Sequence, residues 1–460
     1  MKKKYKLHKG FLPLLCALLL LPPAARAQRV VTLAECLEKG AEYDPGVRTA
    51  RLDLESARAQ RAEARWEYVP RISLVSGGYY SLKPLLQIAP EDILGGYWKN
   101  VLAQMVTDAA LQAGVQPWFE SFKYGWGAFA SAVQPVYAGG RIANGNRLAS
   151  LGVQAGELQF AVKQRETAAG IEEKYSLGVS LQEKMQTLGQ TRQLLDSLER
   201  DARAAVDAGL ISDSDLLQVR LKQRELSSGL ARLRSALKLA KMDLFNAVGL
   251  EYTYLDIDSY TLEGSSFADL SAPSAYLIPE IEEPVTDESR LLSLQVEAER
   301  LQKRLAVGEY LPQLSVGVGY GYSDLRGRGQ GRLNGLGFAM LQIPITDIGK
   351  AAARARRYDS RIEKARVQKE YLDAQLALLG HKLRLDMESA WEQLELASEA
   401  VRTAQDAARK ARARYDAGQV TMSDLLQTEL AVRTAEEERI DRKMDYNLAV
   451  NAYLRRCGKL

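Results

Sequence analysis

The polar residues with the most regular spacing in this sequence lie in two related segments. DAGLISDSDLLQ at residues 207–218 returns as DAGQVTMSDLLQ at residues 416–427, with eight of the twelve positions identical. In each copy, a glycine that can end one helix precedes a serine or threonine that can cap the next, which is Ser212 or Ser214 in the first copy and Thr421 or Ser423 in the second. Each segment is therefore predicted to be a tight turn between two antiparallel helices. One interpretation of Asp215 and Asp424 is that they are helix caps.

Residues that could perform catalysis or hold a cofactor are sparse. Outside the first 27 residues the only histidine is His381, which has no cysteine or second histidine near it in the sequence. Most carboxylates lie on charged helical faces at i, i+4 spacing, where solvated pairing is the usual explanation. An enzyme is therefore the least favoured class, and neither a metal site nor a cofactor is expected. Cys36 and Cys457 allow one disulfide, but two buried thiols are favoured.

Residues 1–27 are predicted to be a secretory signal peptide. Five lysines precede an apolar run at residues 11–21, and the small-residue site Ala25-Arg26-Ala27 follows it. The chain has a formal charge of +4, of which these residues supply six basic groups, so the remainder carries −2. The basic pI therefore gives no reason to expect nucleic acid as a partner.

The sequence contains an internal duplication. The offset of 209 residues continues without a gap from Pro135/Pro344 to Gly249/Gly458, so we expect two similar halves. The predicted organisation is a first repeat at 28–249, an acidic connector at 250–284 and a second repeat at 285–460.

Both repeats are predicted to contain the same elements in the same order. Helices are expected at 32–43, 46–68, 141–207, 215–248, 287–309, 350–416 and 424–456, and strands at 71–81, 124–137, 313–324 and 334–346. The two long helices carry a 4-3 spacing of apolar residues, which is typical of a coiled coil. The first hairpin holds 33 extra residues, between about 81 and 123, with a possible helix at 92–112.

The strand at 313–324 alternates two very different faces. One face holds Leu314, Val316, Val318, Tyr320 and Tyr322, and the other is almost only glycine and serine. This pattern favours a strand of a membrane barrel, although an edge hairpin packed on a helical core is the alternative. Four strands cannot close a barrel, and open edges are not tolerated in lipid. We therefore expect three copies to supply twelve strands.

The order of helix, hairpin, long helix, DAG-type turn and returning helix, repeated once, resembles the TolC-like outer-membrane factors. The resemblance covers essentially the whole chain after residue 27. It implies a mainly α fold with transmembrane β structure: a trimeric, 12-stranded β-barrel, four strands per chain, continuous with a long α-helical coiled-coil barrel. It further implies a passive exit duct of a tripartite efflux pump or type I secretion system in the outer membrane of a Gram-negative bacterium. The partners would be a periplasmic adaptor and, indirectly, an inner-membrane pump.

The resemblance also suggests roles for residues at the two turns. Tyr415 and Asp215 match a pair that helps to hold the periplasmic end closed, and Ser214 stands where the family can have threonine. Asp424 matches an aspartate that projects into the pore, where three copies would form a carboxylate ring. Val420 and Gln427 replace an arginine and a second aspartate found in some members, which implies a weaker closed state.

The tips of the turns are the expected adaptor-docking residues. They are Gly209, Leu210, Ile211, Gly418, Gln419 and Val420. Exposed aliphatic residues at such turns would favour a protein partner. The competing interpretation of the whole chain is a periplasmic coiled-coil scaffold without a pore, against which the two hairpins and their aromatic ends argue.

Overall fold

The computed structural model describes residues 29–83, 86–88, 99–114, 119–121, 124–209, 211–264, 270–277, 285–324 and 331–459. The expected signal peptide at 1–27 and the tip residue Leu210 lie outside the described residues. Within them, the contacts group into two compact units. The first unit comprises residues up to 53, 158–290 and 371–460, and the second comprises residues 54–157 and 291–370.

The chain is mostly helical, and its two halves repeat one order of elements. The helices are α1 (Leu33–Tyr43), α2 (Pro45–Trp66), α3 (Lys99–Gln112), α4 (Arg141–Asp207), α5 (Asp213–Val248), α6 (Asp287–Gly308), α7 (Ile348–Asp416) and α8 (Met422–Arg456). The strands are β1 (Arg29–Val31), β2 (Arg71–Tyr80), β3 (Leu86–Ile88), β4 (Phe119–Ser121), β5 (Tyr124–Ala138), β6 (Tyr260–Leu262), β7 (Gln313–Asp324) and β8 (Arg332–Gln342). The expected helices and strands are therefore confirmed, with small shifts at their ends.

Local sequence signals explain where these helices begin and end. Thr32 caps α1, because its hydroxyl accepts a hydrogen bond from the backbone N–H of Glu35. Pro45 is the first residue of α2, where its missing N–H costs nothing. Gly249 follows α5 with φ of 69°, the left-handed conformation that glycine adopts without strain.

One antiparallel sheet joins the two hairpins in the order β2-β5-β7-β8. Each pair is in continuous register except for an irregularity between Pro135 and Tyr137, where β5 passes β7. In the part of the chain that the structure describes, β2 and β8 are the edge strands of this sheet.

Because directly paired residues share a face of a sheet, the register defines two faces. The first, which we call the aliphatic face, carries residues such as Ile72, Leu74, Val318 and Tyr320, which are 80%, 78%, 61% and 61% exposed. The second, which we call the glycine face, carries Gly317, Gly319 and Gly321 of β7 and the residues paired with them. The predicted alternation of β7 is thus confirmed in the folded sheet.

A small parallel pairing of β1 with β6 was not predicted. The buried hydroxyl of Tyr175 on α4 lies beside it and donates toward the carbonyl oxygens of Val31, at 3.0 Å, and Glu263, at 2.9 Å. An apolar cluster that includes Phe245 and Leu262 surrounds this site. Segments distant in the sequence are therefore fixed to the same part of α4.

The two cysteines in the described residues are free and buried, as favoured from the sequence. Burial raises the pKa of the Cys36 thiol to about 12, so this thiol is protonated and unreactive at neutral pH. Among the described helices, none is both long and apolar enough to cross a membrane.

Candidate functional site

The second turn has a complete glycine-terminated helix end. Gly418 has φ of 68°, and its N–H donates to the carbonyl of Tyr415 at 2.9 Å. The N–H of Gln419 reaches back to the carbonyl of Arg414 at 2.8 Å. These two bonds form a Schellman motif, which satisfies carbonyls that the end of α7 would otherwise leave free. Gly209 at the first turn has φ of 69° and the equivalent first bond, to Val206 at 2.8 Å.

Each helix that leaves a turn begins with a serine or threonine cap that is bonded to an aspartate three residues later. Of the alternatives left open by the sequence, Ser212 caps α5 and Thr421 caps α8. The carboxylate of Asp424 accepts hydrogen bonds from the backbone N–H of Thr421 at 3.0 Å and from its hydroxyl at 2.7 Å. Asp215 accepts the same two bonds from Ser212, at 3.2 and 2.9 Å. The capping interpretation of both aspartates is confirmed.

These caps have an electrostatic consequence at the second turn. The hydroxyl and backbone hydrogen bonds from Thr421 stabilise the ionised carboxylate and lower the pKa of Asp424. The side chain of Asp424 is exposed, as is that of Gln427 one turn further along α8. The two predicted pore residues therefore lie on an accessible face of the helix start, with Asp424 charged at neutral pH.

An apolar cluster lies beneath the turns and contains residues of both repeats. Its fully buried members include Leu195 and Leu198 of α4, Val219 of α5 and Leu425 of α8. Tyr415 and Ile211 are half-buried and pack against the same cluster. We call these residues the tip cluster. It joins the four helices near the two turns into one packed unit.

The charge of Asp215 acts on Tyr415, the residue predicted to act together with it. Burial raises the pKa of Tyr415, and the carboxylate of Asp215 raises it further by disfavouring a second negative charge. Tyr415 is therefore a neutral hydroxyl at physiological pH. Ser214, the third residue assigned to this contact, is exposed on the first turn of α5.

Arg412, one helical turn before Tyr415, is a residue that the sequence did not single out. Its guanidinium Nη2 lies 3.2 Å from Oδ2 of Asp201 on α4, and its Nε lies 3.8 Å from Oδ1 of Asp416. Burial raises the pKa of nearby Glu429, and the charge of Arg412 opposes that shift. Arg412 thus links α4 of the first repeat to α7 of the second. In the sequence it belongs to an ordinary charged helical face, so no pattern distinguished it.

The predicted docking tips are only partly exposed. Gly209, Gly418 and Gln419 are exposed, whereas Ile211 and Val420 are half-buried. The two aliphatic tips are therefore less exposed than expected, and Ile211 packs against the tip cluster. Their role in docking stays a prediction. The described residues contain no group of three or more His, Cys, Asp or Glu side chains that could hold a metal ion.

Comparison with known proteins identifies a family match in the second half of the chain. Residues 291–456 match the family model of the outer membrane efflux protein. The predicted resemblance to the TolC-like outer-membrane factors is thereby confirmed. A sequence comparison with curated proteins gives no match.

Solved structures show the same fold over nearly the whole chain. The outer membrane protein VceC of Vibrio cholerae is 14% identical, with a TM-score of 0.71 over 93% of this chain and 96% of its own. The outer membrane channel CmeC of Campylobacter jejuni is 14% identical, with a TM-score of 0.69 over 93% and 85%. MtrE of Neisseria gonorrhoeae, an outer membrane channel in its open state, is 15% identical, with a TM-score of 0.64 over 93% and 88%.

Proposed function

We propose that three copies of this chain form an outer-membrane channel that serves as the passive exit duct of a tripartite efflux pump or a type I secretion system. The carrying observation is the four-stranded sheet with two edge strands and a strongly exposed aliphatic face. Such a sheet is unstable in lipid unless its edges are paired. Pairing β8 of one copy with β2 of the next closes twelve strands and places the aliphatic face against the acyl chains.

Apolar residues on a second face of α7 support a homotrimer. Leu378, Leu385 and Leu396 are 67%, 63% and 59% exposed, although other residues of the same helix are buried in the chain's own core. They suit contact with helices of a neighbouring copy. In the proposed trimer the paired turns lie at the periplasmic end, with a periplasmic adaptor docked to them.

The turns are proposed to act as the gate. Three Asp424 carboxylates around a common axis would form a ring of negative charge, with Gln427 next to it. The ion pair of Arg412 with Asp201 and an interaction between Tyr415 and Asp215 would hold the helices of both repeats in the closed position. Opening then requires breaking charged contacts at half-exposed positions, each of which contributes little, while the buried tip cluster stays intact.

The first experiment is the mass of the species extracted by detergent from purified outer membranes, followed by conductance in lipid bilayers. A particle of three chains that conducts ions supports the proposal. A periplasmic monomer or dimer without conductance would contradict it and favour the alternative, a coiled-coil scaffold without a pore.

Adaptor docking can be tested at the tips. Replacing Leu210 and Ile211 with glutamate should abolish export but leave trimers intact, because a charged tip cannot enter an apolar contact with the adaptor. Because Ile211 also packs on the tip cluster, the double variant loses packing as well as gaining charge. Gln419→Glu introduces the same charge at an exposed tip without losing packing, and it therefore serves as the matched control. Normal export in the double variant would contradict docking at this turn.

A further inference from the structure

The glycine face of the sheet is polar at its ends and apolar in its middle. Gln313 is paired with Gln342 at one end, and Ser323 is paired with Arg332 at the other. Between them the face presents six apolar side chains, which we call the apolar belt: Val75, Phe129, Val133, Leu336, Phe338 and Met340. Alternate residues are about 7 Å apart along a strand, so the belt extends over roughly 20 Å.

The rings of the belt lie over the glycines of β7. A Cβ atom on Gly317 would be only 2.4 Å from Cζ of Phe338, and one on Gly321 would be 2.8 Å from Cδ1 of Phe129. Phenylalanines of both neighbouring strands therefore cover β7, which has no side chains at these positions. The surface that results is apolar and has low relief.

Several polar side chains at the level of the apolar belt are bonded to other groups of the protein. The hydroxyls of Ser73 and Ser131 are 3.0 Å apart and hydrogen-bond to each other. Arg71 at the start of β2 directs its guanidinium to the carboxylate of Glu67, at 2.7 Å. A molecule in contact with the middle of this face would therefore meet mainly apolar side chains, with the amide of Asn334 as a polar group at the level of Phe129 and Val75.

In the proposed barrel the aliphatic face lies against the acyl chains, so the glycine face points inward. Arg71 and Arg332 lie on the glycine face, and Asp324, which is paired with Trp126, lies at the end of the aliphatic face. Charged side chains on the lipid face of a barrel are strongly destabilising near the bilayer midplane and much less so near the membrane interface. A lumen wall is ordinarily polar, whereas the middle of this one is largely apolar.

We propose that the apolar belt lines the middle of the barrel lumen and is a binding site for amphiphilic organic molecules in transit. The inference rests on the proposed channel and adds the chemical class that its wall accepts. Transfer of apolar groups from water to such a surface lowers the free energy, whereas hydrated inorganic ions are not stabilised there. The belt is therefore a selectivity element separate from the gate at the turns.

The orientation of the two faces can be tested with cysteine variants on adjacent strands. Phe338→Cys on β8 should react with a sulfonated, membrane-impermeant maleimide in outer-membrane vesicles, and Val318→Cys on β7 should not. The native cysteines of the described residues are buried and give a low background. Reaction at Val318→Cys alone would overturn the inference while leaving a barrel. Equal reaction at both positions would contradict the proposed channel itself.

Binding can be tested by block of the purified trimer in a planar bilayer. Tetrabutylammonium added from the extracellular side should reduce the current at lower concentration than tetramethylammonium does. Phe338→Ser should weaken the tetrabutylammonium block by about fivefold or more, since part of an apolar contact is lost, and Phe338→Leu should preserve it. Phe129→Ser, on a different strand, gives the same readout if Phe338→Ser does not assemble. Block of equal strength in wild type and in both serine variants would overturn the belt as a binding site.

Discussion

The helical region around the turns and the four-stranded sheet bury their apolar side chains in opposite ways. Leu425 of the tip cluster is fully buried by helices of its own chain, while Ile72 and Leu74 of β2 are about four-fifths exposed. Among the described residues, the sheet has the apolar content of a core but no second layer that covers it. One chain therefore suffices to pack the turns, whereas in the proposed channel the sheet would be covered by lipid and by copies of itself.

The helical region also pairs its charges internally. Glu172 on α4 is buried and accepts hydrogen bonds from Arg455 at 2.7 Å and Asn451 at 3.2 Å, both on α8. This pair fixes the first repeat to the second far from the turns in sequence. Because the pair is nearly buried, we expect the free energy of unfolding to depend strongly on the carboxylate of Glu172.

The largest expected effect is the loss of that carboxylate. Glu172→Gln should destabilise the protein by about 3–5 kcal/mol, because it leaves the Arg455 charge buried without a counter-charge. The measurement is the midpoint of thermal unfolding of purified protein at one scan rate. The matched control is Glu225→Gln in the exposed Lys222–Glu225 pair, where the loss should stay below about 1 kcal/mol.

A second variant sharpens that test. Replacing Glu172 with leucine and Arg455 with methionine together removes both charges from the interior and should restore much of the stability. Equal unfolding midpoints for Glu172→Gln and Glu225→Gln would show that the pair between α4 and α8 is not needed to hold the repeats together.

The next effect tests the sheet. Ala130 and Ser131 are consecutive residues near the middle of β5, and they lie on the aliphatic and glycine faces respectively. Ala130→Lys should cost about 2–4 kcal/mol per copy, since it places a charge in the acyl chains, and should deplete assembled trimers in the outer membrane. Ser131→Lys should assemble, because its charge faces the lumen. Equal assembly of the two variants would break the contrast between the faces.

The sequence predicted the elements well because their signals are local. The DAG segments contain the glycine with positive φ and the capping aspartate within a few residues, so the turn geometry follows from short-range chemistry. The alternation of β7 is likewise visible in twelve consecutive residues. The helix ends differ from expectation by up to two residues. At the start of α5, for example, the cap is Ser212 and not Ser214.

Features that depend on pairing between distant segments could not be read from the sequence. Arg455 contacts Glu172 across 283 positions, and Arg412 contacts Asp201 across 211. The covering of Gly317 by Phe338 requires the register of β7 with β8, which no single strand reveals. Ile211 was predicted to be an exposed tip because it lies in the turn, and its packing against the tip cluster depends on helices that are distant in the sequence.

The smallest expected effect is a difference between the two turns in how much their capping residues contribute to stability. At the second turn the backbone N–H of Asp424 donates to the hydroxyl of Thr421 at 3.2 Å, whereas at the first turn the N–H of Asp215 donates to the backbone carbonyl of Ser212 at 3.1 Å. Thr421→Ala therefore removes a bond to a backbone donor and should cost about 1 kcal/mol. Ser212→Ala should cost less.

This difference should depend on pH in a definite direction. The folded-state pKa of Asp424 is lowered by its bonds to Thr421, so its stabilisation is complete above the unfolded-state pKa and is lost as the pH falls through the folded-state pKa. Hydrogen exchange of the first turn of α8 should accelerate, relative to the intrinsic rate, over that acidic range in wild type. Thr421→Ala should already exchange fast at neutral pH and change less on acidification. If acid loosened α8 equally in both proteins, the hydrogen bonds between Thr421 and Asp424 could not be what stabilises the start of α8 at neutral pH.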